Sequence, residues 1–168
     1  MTFAVTSNSF KDGDYLGQAH ILSADFGFGC AGGNQSPHLA WSGAPAGTKS
    51  FAVTCFDPDA PTGSGFWHWL VVNIPPNITE LALDAGNPRS PKLPQGALQT
   101  RTDFGAPGYG GPCPPQGDKP HHYIFTVYAV DEDKLQFAKD HSVSAAVVGF
   151  ELHFHSKAKA SLTATYGR

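Results

Sequence analysis

The chain has 168 residues with 19 glycines and 14 prolines, about one position in five, where average usage is roughly 12%. Charged residues make up 15% and hydrophobic ones 40%, which excludes a charge-driven disordered chain, a coiled coil and a long helical bundle and leaves a loop-rich globular protein. A net charge of −3 at pH 7, with no run of Lys or Arg, argues against nucleic acid as a partner.

The length suits one domain over residues 1–168, large enough to bury a core without staples. Met1 to Leu16 lacks the basic flank and apolar stretch of a signal peptide, and no segment approaches the roughly 18 apolar residues of a membrane span. A cytoplasmic protein is therefore expected. Cys30, Cys55 and Cys113 are odd in number and show no CxxC spacing. The expectation is three reduced thiols, with neither a disulfide framework nor a thiolate zinc site.

In chain order, Ser50 to Phe56 (SFAVTCF) and Trp67 to Ile74 (WHWLVVNI) are short apolar runs bounded by Gly or Pro, the pattern of buried strands. Asn87 to Pro120 follows, a stretch in which 14 of 34 residues are Gly or Pro. Leu93, Leu98, Phe104 and Tyr109 are interleaved with them, so an ordered, site-forming loop is predicted. His121 to Val130 (HHYIFTVYAV) places His121, Tyr123, Phe125, Val127 and Ala129 on one face and His122, Ile124, Thr126, Tyr128 and Val130 on the other. Both faces are mostly apolar, which predicts a central strand. Val143, Val147, Phe150 and Phe154 then recur at helical spacing after a candidate cap at Ser142, for a helix of about three turns. Alternation from Ala158 to Tyr166 predicts a closing, half-buried strand.

Two clusters could carry chemistry. Asp57-Pro58-Asp59-Ala60-Pro61 ends one strand and His68 begins the next. The prolines fix φ and remove two backbone donors, so the carboxylates leave the strand in preset directions. The structural alternative is a stiffened turn whose Asp side chains cap local amides. The second cluster runs from Pro112 through Pro114 and Pro115 to His121 and Tyr123. On a strand these last two point the same way, roughly 6.6 to 7 Å apart, and can share one small ligand. Imidazole N–H groups and a phenol can donate to anionic oxygens, and a nearby Asp can orient an imidazole.

DPDAP, then FWHWLVVNIP, then GPCPPQGDKPHHYIFTVYAVD, together with SPHLAW before them and VGFELHFHSKAKASLTATY after, resembles the phosphatidylethanolamine-binding protein family, in its bacterial Raf-kinase-inhibitor-like branch. The resemblance covers nearly the whole chain. It implies a mainly β fold of two antiparallel sheets in a Greek-key sandwich, here with a short C-terminal helix before a final strand. It also implies a small anion pocket at one edge, whose residues fall on Asp57, Asp59, His68, Pro114, Pro115, His121 and Tyr123. The implied ligand is phosphate, phosphoethanolamine or another phospholipid head group. His68 and His121 would donate to the anion, Asp57 would orient, Tyr123 would contribute its hydroxyl and the prolines the walls. Family members are described as modulators of kinases or proteases, and the bacterial branch is associated with homodimers. Where the family usually has HRY, this chain has His121-His122-Tyr123, and alternation turns His122 away from the pocket side.

No GxSxG elbow, HExxH or GK[ST] loop is present, so binding without turnover and without a cofactor is expected. The competing reading is a weak hydrolase, or a metal protein built on His68, His121 and Asp57. Asp103-Phe104-Gly105 matches the kinase magnesium motif only as letters. His153 and His155 read as surface residues favoured by the negative end of the helix.

Overall fold

The computed structural model describes residues 2–168. Its strands are β1 (Ala4–Thr6), β2 (Leu39–Ser42), β3 (Ser50–Asp57), β4 (Phe66–Ile74), β5 (Glu80–Leu81), β6 (Leu98–Gln99), β7 (His121–Val130) and β8 (Ser156–Tyr166), with one α-helix, α1 (Ala145–His155), between the last two. They form two antiparallel sheets, one of three strands in the order β1-β2-β5 and one of five in the order β6-β4-β3-β7-β8. The main core lies where residues such as Trp41, Val53, Cys55, Trp69, Leu81, Phe125 and Val127 are buried together. Full burial of side chains such as Trp69 and Phe125 contributes about 2–3 kcal/mol each.

β3 lies between β4 and β7, and all its positions but Phe56 are buried. The mostly apolar run of Ser50 to Phe56 follows from that, because a strand covered on both faces needs no polar side. Val53 and Cys55 belong to the main core, while Ala52 joins Leu70, Val72 and Val130 in a second cluster. Leu135, Ala138 and the buried face of α1 complete that second cluster. β7 is central, as its two apolar faces predict.

The helix presents a different face from the predicted one. It is capped by Ser144, whose Oγ accepts from the Val147 amide at 3.3 Å, two residues after the predicted cap at Ser142. Ala145, Val148, Glu151 and Leu152 are buried, whereas Phe150 and Phe154 are 58% and 63% exposed and meet edge to face at 5.1 Å. Two apolar stripes compete on this segment. The one carrying small Ala145 and Val148 packs over Ala52, and Glu151 on the same side accepts the Phe137 amide at 2.9 Å.

The outer edge of β8 is covered by residues 12–16. Gly13 donates to the Thr163 carbonyl at 2.7 Å, Leu16 to that of Thr165 at 2.8 Å, and Thr165 back to that of Asp14 at 2.8 Å. The Thr163 amide donates to Asp12 Oδ1 at 2.7 Å. This strap occupies backbone groups that would otherwise offer a template for another strand.

The antiparallel register gathers the site. Asp57 ends β3, opposite Phe66 at the start of β4, while Phe56 is opposite both Trp67 and Ile124. The end of β3 therefore meets the beginnings of β4 and β7, which carry His68, His121 and Tyr123.

Candidate functional site

Asp57 is buried, and its two oxygens do different work. Oδ1 accepts the Asp59 amide at 2.8 Å, closing the proline-stiffened turn, and Oδ2 accepts from His121 Nδ1 at 2.7 Å. The turn-capping alternative and the site assignment thus describe the same carboxylate. His121, also buried, meets a second carboxylate through Nε2, 2.9 Å from Asp118 Oδ2. Carboxylates accept, so both ring nitrogens carry protons. Burial works against that charge, but the hydrogen bonds and negative charge of Asp57 and Asp118 outweigh it and hold the His121 pKa above the ordinary imidazole value. The expected donation from His121 to a ligand is corrected here, because neither N–H is left over.

His68 behaves in the opposite way. Its Nδ1 lies 2.7 Å from the Gly110 carbonyl, which can only accept, so the proton is on Nδ1. Nε2 takes part in no hydrogen bond among the described residues. Burial lowers the His68 pKa, and hydrogen bonding to the Gly110 backbone and the charge of Asp57 offset this only in part. The ring is therefore neutral, with Nε2 an acceptor, so the expected donation from His68 to an anion is corrected as well. Gly110 approaches so closely that a Cβ there would sit 2.4 Å from the Phe104 ring. The glycine thus secures both the His68 anchor and the Phe104 position.

Tyr123 is buried with its ring 5.3 Å from His68, edge to face, and 6.5 Å from His121, stacked. Burial and the Asp57 charge push its phenol pKa up, so it stays a protonated donor. Pro114 and Pro115 join Asp57, His68, His121 and Tyr123 around one cavity of about 190 Å³. Six of the seven residues expected at the pocket line it. Asp59 does not. It accepts instead from the His122 backbone amide and Nδ1, both at 2.7 Å. Slight burial opposes ionisation of Asp59, but these bonds and the charge of His122 hold its pKa below the usual value. His122 points outward, as alternation predicts, and is the partner of Asp59 at the position where Arg is usual.

Several site residues escaped the sequence. Phe28, Phe66 and Phe104 wall the cavity, with Phe104 edge to face against Phe66 at 4.8 Å and Phe28 at 5.7 Å. Phe66 carried a signal, since it lies two residues before His68 on the same strand. Phe104 had none beyond its place in the long loop. Asp118, three residues before His121, was visible as a neighbour but not as a partner.

The reduced-thiol expectation is overturned. Cys30 and Cys113 form a disulfide with Cα atoms 5.9 Å apart, and only Cys55 is free and buried. The two are 83 residues apart in sequence, so no local spacing could announce the bond. They meet because the loop before β2 and the proline loop lie together at the cavity, where Leu22 donates to the Pro112 carbonyl at 3.0 Å and Arg168 Nε to that of Pro114 at 2.7 Å. Cys113 itself lines the cavity.

His68, His121 and Asp57 do not form a compact ligand set. The metal-like group among the described residues is Asp131, Glu132 and His155, whose ligand atoms lie within 4.8 Å of one another. His155 is half-buried and pairs with Asp131 at 3.0 Å, which corrects its reading as a plain surface residue, while His153 is exposed. No helix among the described residues is long and apolar enough to cross a membrane.

The model of the family described as phosphatidylethanolamine-binding protein matches residues 6–167. The chain is 56% identical to YbcL of Escherichia coli over 164 residues, covering 98% of this chain and 87% of YbcL. It is 52% identical to YbhB of the same organism over 160 residues, covering 95% and 97%. The crystal structure of E. coli YbcL, described as a new member of the mammalian PEBP family, superposes with a TM-score of 0.94 at 54% identity, over 100% of this chain and 99% of that one. A phosphatidylethanolamine-binding protein homologue from Chlamydia trachomatis superposes with a TM-score of 0.80 at 28% identity, over 99% and 98%.

Proposed function

Because the chain belongs to the phosphatidylethanolamine-binding protein family, whose name describes binding and not catalysis, we propose that its cavity holds a small phosphorylated or other anionic group, including phospholipid head groups. The observation that carries this reading is the convergence of buried Asp57, His68, His121 and Tyr123 on one proline-walled cavity. His68 and Tyr123 meet the ligand. His121 acts through Asp57 and Asp118, supplying positive charge and fixing the wall. Asp59 serves from outside, bracing the turn through His122.

A regulatory layer follows from the same family reading: occupancy of the pocket alters a surface seen by a protein kinase or protease, with residues 1–168 acting as one unit and pairing as a homodimer. A cytoplasmic location stands against one observation, the Cys30–Cys113 bond, since such bonds persist mainly in oxidising compartments. Titration of phosphate and phosphoethanolamine followed by NMR tests the pocket. Shifts are expected to cluster around His68 and Tyr123 and to weaken in His68→Ala and His121→Ala. Shifts elsewhere, or undiminished binding by both variants, would sink the assignment.

A further inference from the structure

Resting on the proposed anion pocket, the hydrogen-bond inventory narrows the ligand. We propose that the cavity selects a phosphate that brings its own proton, as inorganic phosphate or a monoester, over anions with no O–H such as sulfate and phosphodiesters.

His68 sets the requirement. Its Nδ1 proton is committed to the Gly110 carbonyl at 2.7 Å, so Nε2 offers a lone pair. An acceptor sealed beneath a bound ligand must be given a donor, or the complex loses about 1–3 kcal/mol for an unpaired polar group. The other side chains cannot supply one. Both His121 protons go to Asp57 and Asp118. The Thr62 hydroxyl donates to the Gly65 carbonyl, and Cys113 is in a disulfide. Tyr123 has one hydroxyl, which serves an anionic oxygen and leaves Nε2 unmatched. A bare anion would set a lone pair against that of Nε2, with the Asp57 carboxylate close by. A ligand P–O–H donates to Nε2 and removes the conflict, while its charged oxygens take the Tyr123 hydroxyl. No bond is made or broken; one proton is shared between phosphate and imidazole.

The titratable and charged groups around His68 are Asp57 of β3, Asp103 of the long loop and Tyr123 of β7, with His121 beyond Asp57 and the Arg168 guanidinium bonded to the Pro114 and Phe28 carbonyls of the cavity wall.

Phosphate and sulfate have the same shape and differ in that O–H, so calorimetric titration of the two at pH 7.5 is the central test. Phosphate is expected to bind at least about tenfold more tightly, the ratio that corresponds to one unmatched hydrogen bond. Phosphoethanolamine and glycerophosphoethanolamine separate a free monoester from the diester found in a lipid. At about pH 5.5, where the monoester still carries its proton, it is expected to win by a similar factor. Its affinity should fall about tenfold between pH 7 and pH 8, above its second pKa of about 6, with one proton taken up from the buffer. Inorganic phosphate keeps an O–H at both pH values and should change far less. His68→Gln is expected to bring phosphate down to the level of sulfate, and nitrogen shifts of the wild-type His68 ring report the tautomer without any variant. If sulfate or the diester binds as tightly as phosphate, the selectivity is wrong while the anion pocket stands. If phosphate does not bind at all, both readings fall.

Discussion

At the first residue of β7, His121 lies buried between Asp57 and Asp118; just beyond its last residue, Asp131 and Glu132 face His155 at the end of α1. The chemical groups are the same, an imidazole against two carboxylates. The settings differ: the His121 and Asp57 side chains are each 4% exposed, whereas those of His155 and Asp131 are 35% and 44% exposed. In the wet setting water and salt screen the pair, and such contacts are worth about 0–1 kcal/mol. In the dry one, the loss of a partner strands a charge that the fold has already desolvated. The pocket end of β7 is therefore where these groups can bind, and also where the molecule has most to lose.

The largest effect should come from the covalent link that only the pocket end possesses. Cys30→Ser or Cys113→Ser, which opens a loop of 83 residues, is expected to lower stability in chemical denaturation by about 4.5 kcal/mol on chain-entropy grounds. Thiol assays on protein purified without reductant should find one free cysteine, Cys55, once the chain is unfolded. Finding three would return the thiols to the reduced state read from the sequence.

Next in size is Asp57→Ala, which leaves His121 Nδ1 and the Asp59 amide without their partner. A loss of about 3 kcal/mol is expected, together with loss of phosphate binding. Asp131→Ala should cost less than about 1 kcal/mol and leave binding unchanged. Equal losses at the two ends would remove the distinction drawn between them.

A smaller effect separates the two pocket histidines by pH. The His121 pKa is raised in the folded state, so its contribution is fully present below the unfolded value of about 6.5 and is lost as pH rises through the higher folded value. The His68 pKa is lowered, so the unfolded chain takes up a proton first and stability falls as pH drops below about 6.5. Stability profiles of His121→Gln and His68→Gln between pH 5 and 9 should accordingly flatten on opposite sides, alkaline for the first and acid for the second.

Much of the fold was legible because it is written in short range. β3, β4 and β7 were recovered within a residue or so from apolar runs and their Pro and Gly boundaries, and Asp57, His68, His121 and Tyr123 were singled out because prolines and strand alternation fix their directions. What was not legible depends on contacts between distant segments. The bond from Cys30 to Cys113, and the walls that Phe28 and Phe104 supply, require two loops to be folded against each other first. The helix face was misread because both of its stripes are apolar, and only the sheet beneath decides between Leu152 and Phe154. The role of His121 as a donor to the ligand was misread because one expected carboxylate partner became two.

The strap over β8 has a consequence for how the chain is made. Asp12 and Thr163 are 151 residues apart, and at translation speeds of about 5–20 residues per second the strap waits on the order of 10–30 s for its partner. The sheet edge that residues 12–16 cover is thus sealed last by the part of the chain that was made early. The strap is ready as soon as β8 exists, and the edge that stands open before then is that of β7, which waits for β8 and is where aggregation has its opportunity.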